Sequence, residues 1–535
     1  MARYDWPGNR DPRREDRARF RAEALFEKLA GVPGQILAQA SAARASLLGA
    51  LLTDPDFNVW LPIGPAVVIE GQAGSAPRVT GRVRDIAVSE DGRRVYAATA
   101  NGGVWYSGDS GANWSPLGSG ASTPLGEAAA PGPNSLVTSC LLVTFGANPD
   151  GSDDVVYAGT GEIRPYTRGY PGGKAAGIGV LKLTRPLPEA LAHPEINPWQ
   201  REAPNLSGMG IFRLAKNPGP ENTLIAATST GLWKREGGFV EDANWVRVTA
   251  GPFDFDADDD KWCTDVLWVP AKGGTPARLW VALVDDTLFS DTAIWVSEGG
   301  ADGPYEEVEL RDRDRAGRLG IAVHEKDPSI LYVLGKGPRL WRIDGKRARR
   351  VRGLPKHLFG KTHDQSSYDL AVAVHPEKPD EVIVGGSTVL AEQELRIVDG
   401  KPKLVRGEWS ASLFRLTVSG TAAADDFACN FDASKQDAPG TDTATYIGNN
   451  VHADVHVVRY TGVPAGSQVW IGCDGGVYHS TYNGDAYTYI ARNNGLAVIE
   501  AGYVANHPTN DGALIIGTQD NGVLTRIGDT VWRLW

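Results

Sequence analysis

His452-Ala453-Asp454-Val455-His456 carries three side chains capable of acid–base or metal chemistry at every second position. On a strand, whose side chains alternate with a period of two, all three face one way. Same-face neighbours lie about 6.6–7 Å apart, so the two histidines are ~13 Å apart and cannot bind one metal by themselves. A metal on His452 and Asp454 would need ligands from elsewhere in the chain. An imidazole–carboxylate hydrogen bond needs none and is the simpler reading. A second cluster, Asp254-Phe255-Asp256-Ala257-Asp258-Asp259-Asp260, offers alternating carboxylates that could wrap a Ca²⁺ through Asp254, Asp256 and Asp258. It lacks the glycine and the distant bidentate glutamate of a helix-flanked calcium loop, which favours a solvated acidic turn over a metal site.

The elements that must position such residues show best in the stretch from Arg82 to Leu117. It contains four short runs, Arg82–Ser89, Arg94–Thr99, Gly103–Ser107 and Asn113–Leu117, bounded by Gly, Asn and Asp, the residues that make tight turns. Four antiparallel strands of this length make one propeller blade. Between the third and fourth runs lies Ser107-x-Asp109-x-Gly111-x-x-Trp114. Here Ser and Asp side chains can bond the turn backbone, Gly111 takes a conformation hard for other residues, and Trp114 buries its indole between sheets. The pattern resembles the Asp-box of BNR-repeat β-propellers, a superfamily of sialidases, sortilin-type receptors, some glucan-cleaving enzymes and many bacterial proteins. The resemblance implies a structural role for Ser107, Asp109, Gly111 and Trp114. The block from His452 through Asp474–Tyr478 to Gly517–Gly522 is also similar to bacterial BNR-repeat proteins often labelled glycosyl hydrolases. That likeness spans roughly residues 80–535 and implies a fold rather than an activity.

The unit recurs. Inner strands end in Asn217-Pro218, His375-Pro376 and His507-Pro508, and third strands carry Trp105, Trp233, Trp295, Trp341, Phe414 and Tyr478. Units begin near Arg82, Leu136, Gly210, Cys263, Arg318, Asp369, His452 and Gly502. The expected fold is therefore an all-β propeller over residues 56–535 with eight blades, or seven if one unit elaborates its neighbour. Residues 1–55 differ: Ala18, Ala22, Leu25, Phe26 and Leu29, then Leu37, Ala40, Leu47, Leu48 and Leu51, follow helical spacing. They predict a helical N-terminal arm, either a lid on the propeller or a tether to a partner. For ring closure, Val59–Ile63 is expected to pair near Gly522–Arg526, with Val531–Trp535 competing for the same edge.

In a propeller the inner-strand starts and the turns after second strands converge on one end of the channel. Register then places Arg82, Glu162, Asp265, Arg318, Asp369, His452, Asp454, His456, Asp474, Gln519 and Asp520 in a charged ring. Two readings of this ring compete. A non-catalytic scaffold would bind a protein or glycan partner through the channel face and the long insertions 162–177, 388–409 and 419–450, with its acids already paired to Arg or His. A glycoside hydrolase or lyase would present two unpaired carboxylates ~5–9.5 Å apart. Scarce arginines and a missing Tyr–Glu pairing speak against sialidase chemistry, so the scaffold is preferred.

The chain has 535 residues and a formal net charge of −11, which opposes a nucleic-acid groove. The basic run Arg347–Arg352 reads as a solvated strand or loop. Cys140, Cys263, Cys429 and Cys473 have no metal-like spacing and fall in different blades, as reduced core thiols do. The charged N-terminus has no apolar signal-peptide core and no run is long enough to span a membrane. These features fit a cytoplasmic protein or a component of a larger assembly, without a cofactor unless the acidic loop binds Ca²⁺.

Overall fold

The short runs bounded by turn residues form strands, and the strands form sheets in chain order. The computed structural model describes residues 63–535 apart from short stretches, of which 119–135, 164–173 and 432–444 are the longest. The helical arm expected over residues 1–55 lies outside the described residues. So do Trp60, Asp256 and Asp258.

Seven four-stranded β-propeller blades form five separate sheets and one eight-stranded sheet shared by two blades. Their inner strands are β1 (Val83–Val88), β2 (Thr138–Thr144), β3 (Ile211–Lys216), β4 (Lys261–Val269), β5 (Leu319–Val323), β6 (Ala371–Val374) and β7 (Val455–Thr461). Each inner strand packs on the next, and β7 packs directly on β1, so the ring closes with seven blades. One apolar core fills each seam. Tyr96, Leu117, Leu141 and Trp199 fill the seam between blades 1 and 2. Between blades 7 and 1 lie Val83, Trp105, Trp114, Trp470 and Leu496. The aromatic third-strand positions supply many of these groups, with Trp341, Phe414 and Tyr478 fully buried. The outer strands of blades 5 and 6 are joined edge to edge by parallel pairing of Arg350–Arg352 with Asp426–Ala428, which covers two edges otherwise open to other chains.

The eighth unit is formed but stands outside the ring. Ala501–His507, Asn510–Thr518, Val523–Arg526 and Val531–Leu534 make an antiparallel sheet, and Val67–Ile69 adds a fifth strand parallel to Val531–Leu534. A strand from the N-terminal side, Val67–Ile69, therefore joins the last sheet outside Val531–Leu534, while residues 59–62 of the expected strand Val59–Ile63 lie outside the described residues. It does not close the ring. The inner strand of this sheet is exposed along its length, with Tyr503 86% and Val504 71% accessible, because no blade among the described residues stands beside it.

Five inner strands carry a bulge at corresponding positions, between Val83 and Asp85, Thr138 and Cys140, Ile211 and Arg213, Cys263 and Asp265, and Val455 and Val457. The residues thrown out of the ladder are Arg84, Ser139, Phe212, Thr264 and His456, and all five line the central channel. A bulge redirects one side chain while the strand continues. Two aspartates next to bulges tie neighbouring blades. Asp85 accepts the amides of Ile86 and, from blade 2, Leu141 (2.9 Å each). Asp265 accepts those of Val266 (2.8 Å) and, from blade 5, Ile321 (2.7 Å).

Candidate functional site: a charged network at the channel mouth

Arg82, the residue before β1, is the hub. Its Nη1 donates to both oxygens of Glu162 (2.7 and 2.8 Å) and its Nε to Asp474 Oδ1 (3.2 Å). Nη2 lies 3.4 Å from Glu500 and 3.9 Å from Asp520. The Arg82 side chain is 1% exposed, as is Asp474. Burial works against its charge, yet Asp474, Tyr368, Glu162 and Glu500 outweigh it and hold the guanidinium firmly ionised.

Asp474, in the turn after the second strand of blade 7, gathers three donors. Besides Arg82, Tyr368 donates to Oδ2 (2.9 Å), and His456 Nε2 lies 2.6 Å from Oδ1. Arg84 Nη1 sits 2.8 Å from His456 Nδ1. An arginine can only donate, so Nδ1 is the acceptor and Nε2 carries the proton that goes to Asp474. Burial, then the charges of Arg84 and Arg82, push His456 well below its ordinary pKa, so the imidazole is neutral. Tyr368 packs edge-on against His456 (4.8 Å between centroids), and the guanidinium carbons of Arg82 and Arg84 each lie 5.3 Å from its ring centroid.

Beside this cluster, Asp369 and Asp454 have no cation bonded to them among the described residues. Asp369 is fully buried, accepts Gln365 Nε2 (2.9 Å) and lies beside the Asp454 carboxyl. Asp454 accepts Ser387 Oγ (3.0 Å). Burial, then the neighbouring charges of Asp454 and Asp474, raise Asp369 well above the carboxylate range; burial and Asp474 push Asp454 up to about 7. Asp520, in the turn of the terminal sheet, has a side chain 37% accessible and is pushed up to about 6, by burial first and then by Asp474. Asn521 beside it is buried and donates to the carbonyls of Thr80 and Asp474 (3.1 Å each), which anchors the terminal sheet at the mouth.

The ring read from register is thus partly one cluster. Arg82, Glu162, His456, Asp474 and Asp520 come together, with Asp369 and Asp454 beside them. Asp265 and Arg318 lie along the channel rather than at its mouth. Gln519 is exposed on the terminal sheet. The expected regular strand over His452–His456 is not formed. The strand begins at Val455, Asp454 has φ 64°, and His456 sits in the bulge. The three side chains therefore do not share a face: Asp454 turns to blade 6, His456 to Asp474, and His452 Nδ1 lies 3.2 Å from the Ala453 carbonyl. Positive φ suits Asp, whose short polar side chain tolerates it. An imidazole–carboxylate hydrogen bond is present, but it joins His456 to Asp474. Arg84, Arg213, Tyr368 and Arg459 were not legible as site residues. Bulges displaced Arg84 and Arg213 from simple alternation, and Tyr368 lies in a loop before β6. Their only sequence signal is charge or an aromatic next to an inner-strand start.

Among the described residues no three His, Cys, Asp or Glu side chains are grouped to hold a metal ion. Asp254 is an exposed residue at the end of a single 3₁₀ turn, Gly251–Phe253. The four cysteines are unbridged, in blades 2, 4, 6 and 7. No helix among the described residues is long and apolar enough to cross a membrane.

No family model matches the sequence, and no curated protein does. Solved structures do resemble the fold. An ancestral GH74 enzyme aligns with TM-score 0.52 and 15% identity over 89% of this chain and 55% of its own. The GH74 enzyme of Niastella koreensis aligns with TM-score 0.51 and 14% identity, over 87% and 61% respectively. The chain spans a little over half the length of these enzymes, and at such identity the likeness shows the propeller fold alone.

Proposed function

We propose that the chain is a non-catalytic propeller scaffold that binds a protein or glycan partner through its channel face and the insertions around it. The observation that supports this is the pairing of the mouth acids. Glu162 and Asp474 are held by Arg82, and Asp474 also by His456 and Tyr368. Glycoside hydrolysis needs one carboxyl to give a proton and another to attack or to activate water. Carboxylates locked in bidentate and threefold hydrogen bonds hold a surface rigid instead. The expected resemblance to BNR-repeat propellers is compatible with this role, since that superfamily includes receptors as well as enzymes.

One observation favours the hydrolase or lyase alternative. Asp520 is partly exposed, raised to about 6 and next to Asp474, the setting of a general acid. Incubation with soluble β-glucans and sialylated glycans, followed by reducing-end detection, separates the two. The scaffold predicts no product. Product formation abolished by both Asp520→Asn and Asp474→Asn would overturn it. A pull-down from the native host with and without residues 1–55 then tests whether the arm contributes to a protein partner.

A further inference from the structure

We infer that the channel behind this mouth is a binding site for a small free oxyanion of phosphate or carboxylate type, held between Arg84 and Arg318. The channel encloses about 100 Å³ and is lined by the arginines Arg84, Arg213, Arg318 and Arg459 and by the aspartates Asp85 and Asp265. Both aspartates are committed: Arg459 Nη2 donates to Asp85 (2.8 Å), Arg213 Nη1 donates to Asp265 (2.8 Å), and each carboxylate also accepts two backbone amides. That leaves two cations. Arg84 donates to a neutral histidine, and its ion pair with Glu162 is long, 3.8 Å, because Glu162 is already gripped by Arg82. Arg318 has no ion-pair partner among the described residues. Its Nη1 donates to the uncharged backbone carbonyls of Tyr368 (3.2 Å) and Ser367 (3.4 Å). The Nε atoms of both arginines are shut off from solvent and have no hydrogen-bond partner.

Two guanidinium ions facing one confined space repel each other, and buried donors without acceptors are costly. Burial, then the charge of Arg84, push Arg318 down to about 10. An oxyanion answers both costs, since its several lone pairs match the planar forks of two arginines and its charge offsets theirs. Water can fill a space of this order, which holds only a handful of molecules, but cannot neutralise the charge. A hexose would not supply charge either. The inference goes beyond the partner-binding reading, because an ion inside the channel is independent of what covers its mouth.

The test is titration of the purified chain with inorganic phosphate and, separately, acetate, at ionic strength held constant with chloride. Melting temperature and ³¹P line width are the readouts. The expected result is a saturable rise in Tm with at least one of the two anions, and phosphate broadening displaced by sulfate but not by glucose. Arg318→Gln is expected to weaken binding by about tenfold or more, the loss for removing a charged hydrogen-bond partner, while the exposed Arg352→Gln leaves it unchanged. Absence of any saturable response in the wild type would overturn the inference, as would equal affinity in Arg318→Gln. Should Arg318→Gln fail to fold, sulfate competition in the wild type decides: broadening that sulfate does not displace overturns it.

Discussion

The indole Nε1 of Trp114 donates to the carbonyl oxygen of Arg492, 2.6 Å away and 378 residues later in the chain. This bond crosses from blade 1 to blade 7, and the Ser107–Trp114 turn is built to deliver it. Ser107 Oγ accepts the Gly111 amide (2.8 Å), and Asp109 accepts the amide and side chain of Asn113 (2.9 and 2.8 Å). Gly111 has φ +73°, and a Cβ there would come within 2.9 Å of Arg492 Cβ. The two end blades of the ring are joined by side chains meeting face to face, not by a strand lent from one to the other.

Trp114→Ala therefore opens the closing seam, and it should destabilise the fold by ~3–5 kcal/mol, the usual cost of emptying a large buried aromatic site. Asp109→Ala should cost only ~0.5–2 kcal/mol, as for loss of a capping side chain. Denaturant unfolding of both variants measures this, and equal losses would contradict the division of labour within the turn.

Arg82→Met leaves Glu162 and Asp474 buried without their cation. Breaking a buried ion pair from one side costs ~3–5 kcal/mol. The double variant Arg82→Met/Glu162→Gln should recover part of that loss, because the stranded charge is gone. Additive losses in the two single variants and the double would show that the pair is not coupled.

The carboxyl pair at the seam of blades 6 and 7 predicts a pH dependence. Unfolded Asp454 loses its proton near 3.8, whereas folded Asp454 keeps it to about 7. The folded state thus binds more protons between these values, so this contribution to stability is whole below pH ~4 and is lost as pH rises toward 7. Asp454→Asn can keep the hydrogen bond from Ser387 and tolerates the positive φ. Its Tm relative to wild type should become more favourable between pH 5 and pH 8. A difference that does not change with pH would refute the raised pKa of Asp454.

Deleting residues 1–65 leaves the strand Val67–Ile69 in place, and deleting 1–71 removes it. Only the longer deletion should loosen the terminal sheet, seen as new proteolytic cleavage after residue 500, while the ring keeps its main melting transition. A large drop in that transition would show that Val67–Ile69 supports the ring itself.

The acidic loop from Asp254 reads as a solvated turn, so EDTA should leave Tm unchanged. A chelator-sensitive melt would instead reveal a bound cation, which at a hundredfold excess over its Kd stabilises the native state by ~2.7 kcal/mol.

The sequence alone determined the blades, because a blade is a local object. Its strands are consecutive, its turns are marked by Gly, Asn and Asp, and its buried aromatics recur at one strand position. Inner strands begin within a few residues of the expected starts at Arg82, Leu136, Gly210, Cys263, Arg318, Asp369, His452 and Gly502. Gathering charged residues by blade position also brought Arg82, Glu162, His456, Asp474 and Asp520 into one cluster. Tertiary structure decided what sequence distance hides. Whether the eighth unit enters the ring depends on β7 meeting β1, a contact between distant segments that no repeat pattern encodes. Which side chains face the channel depends on bulges, where one extra residue reverses the alternation and sends Arg84 and His456 inward. Who pairs with whom depends on blades separated by up to hundreds of residues. Arg82 satisfies acids from three different parts of the chain, and Arg318 is left without one among the described residues.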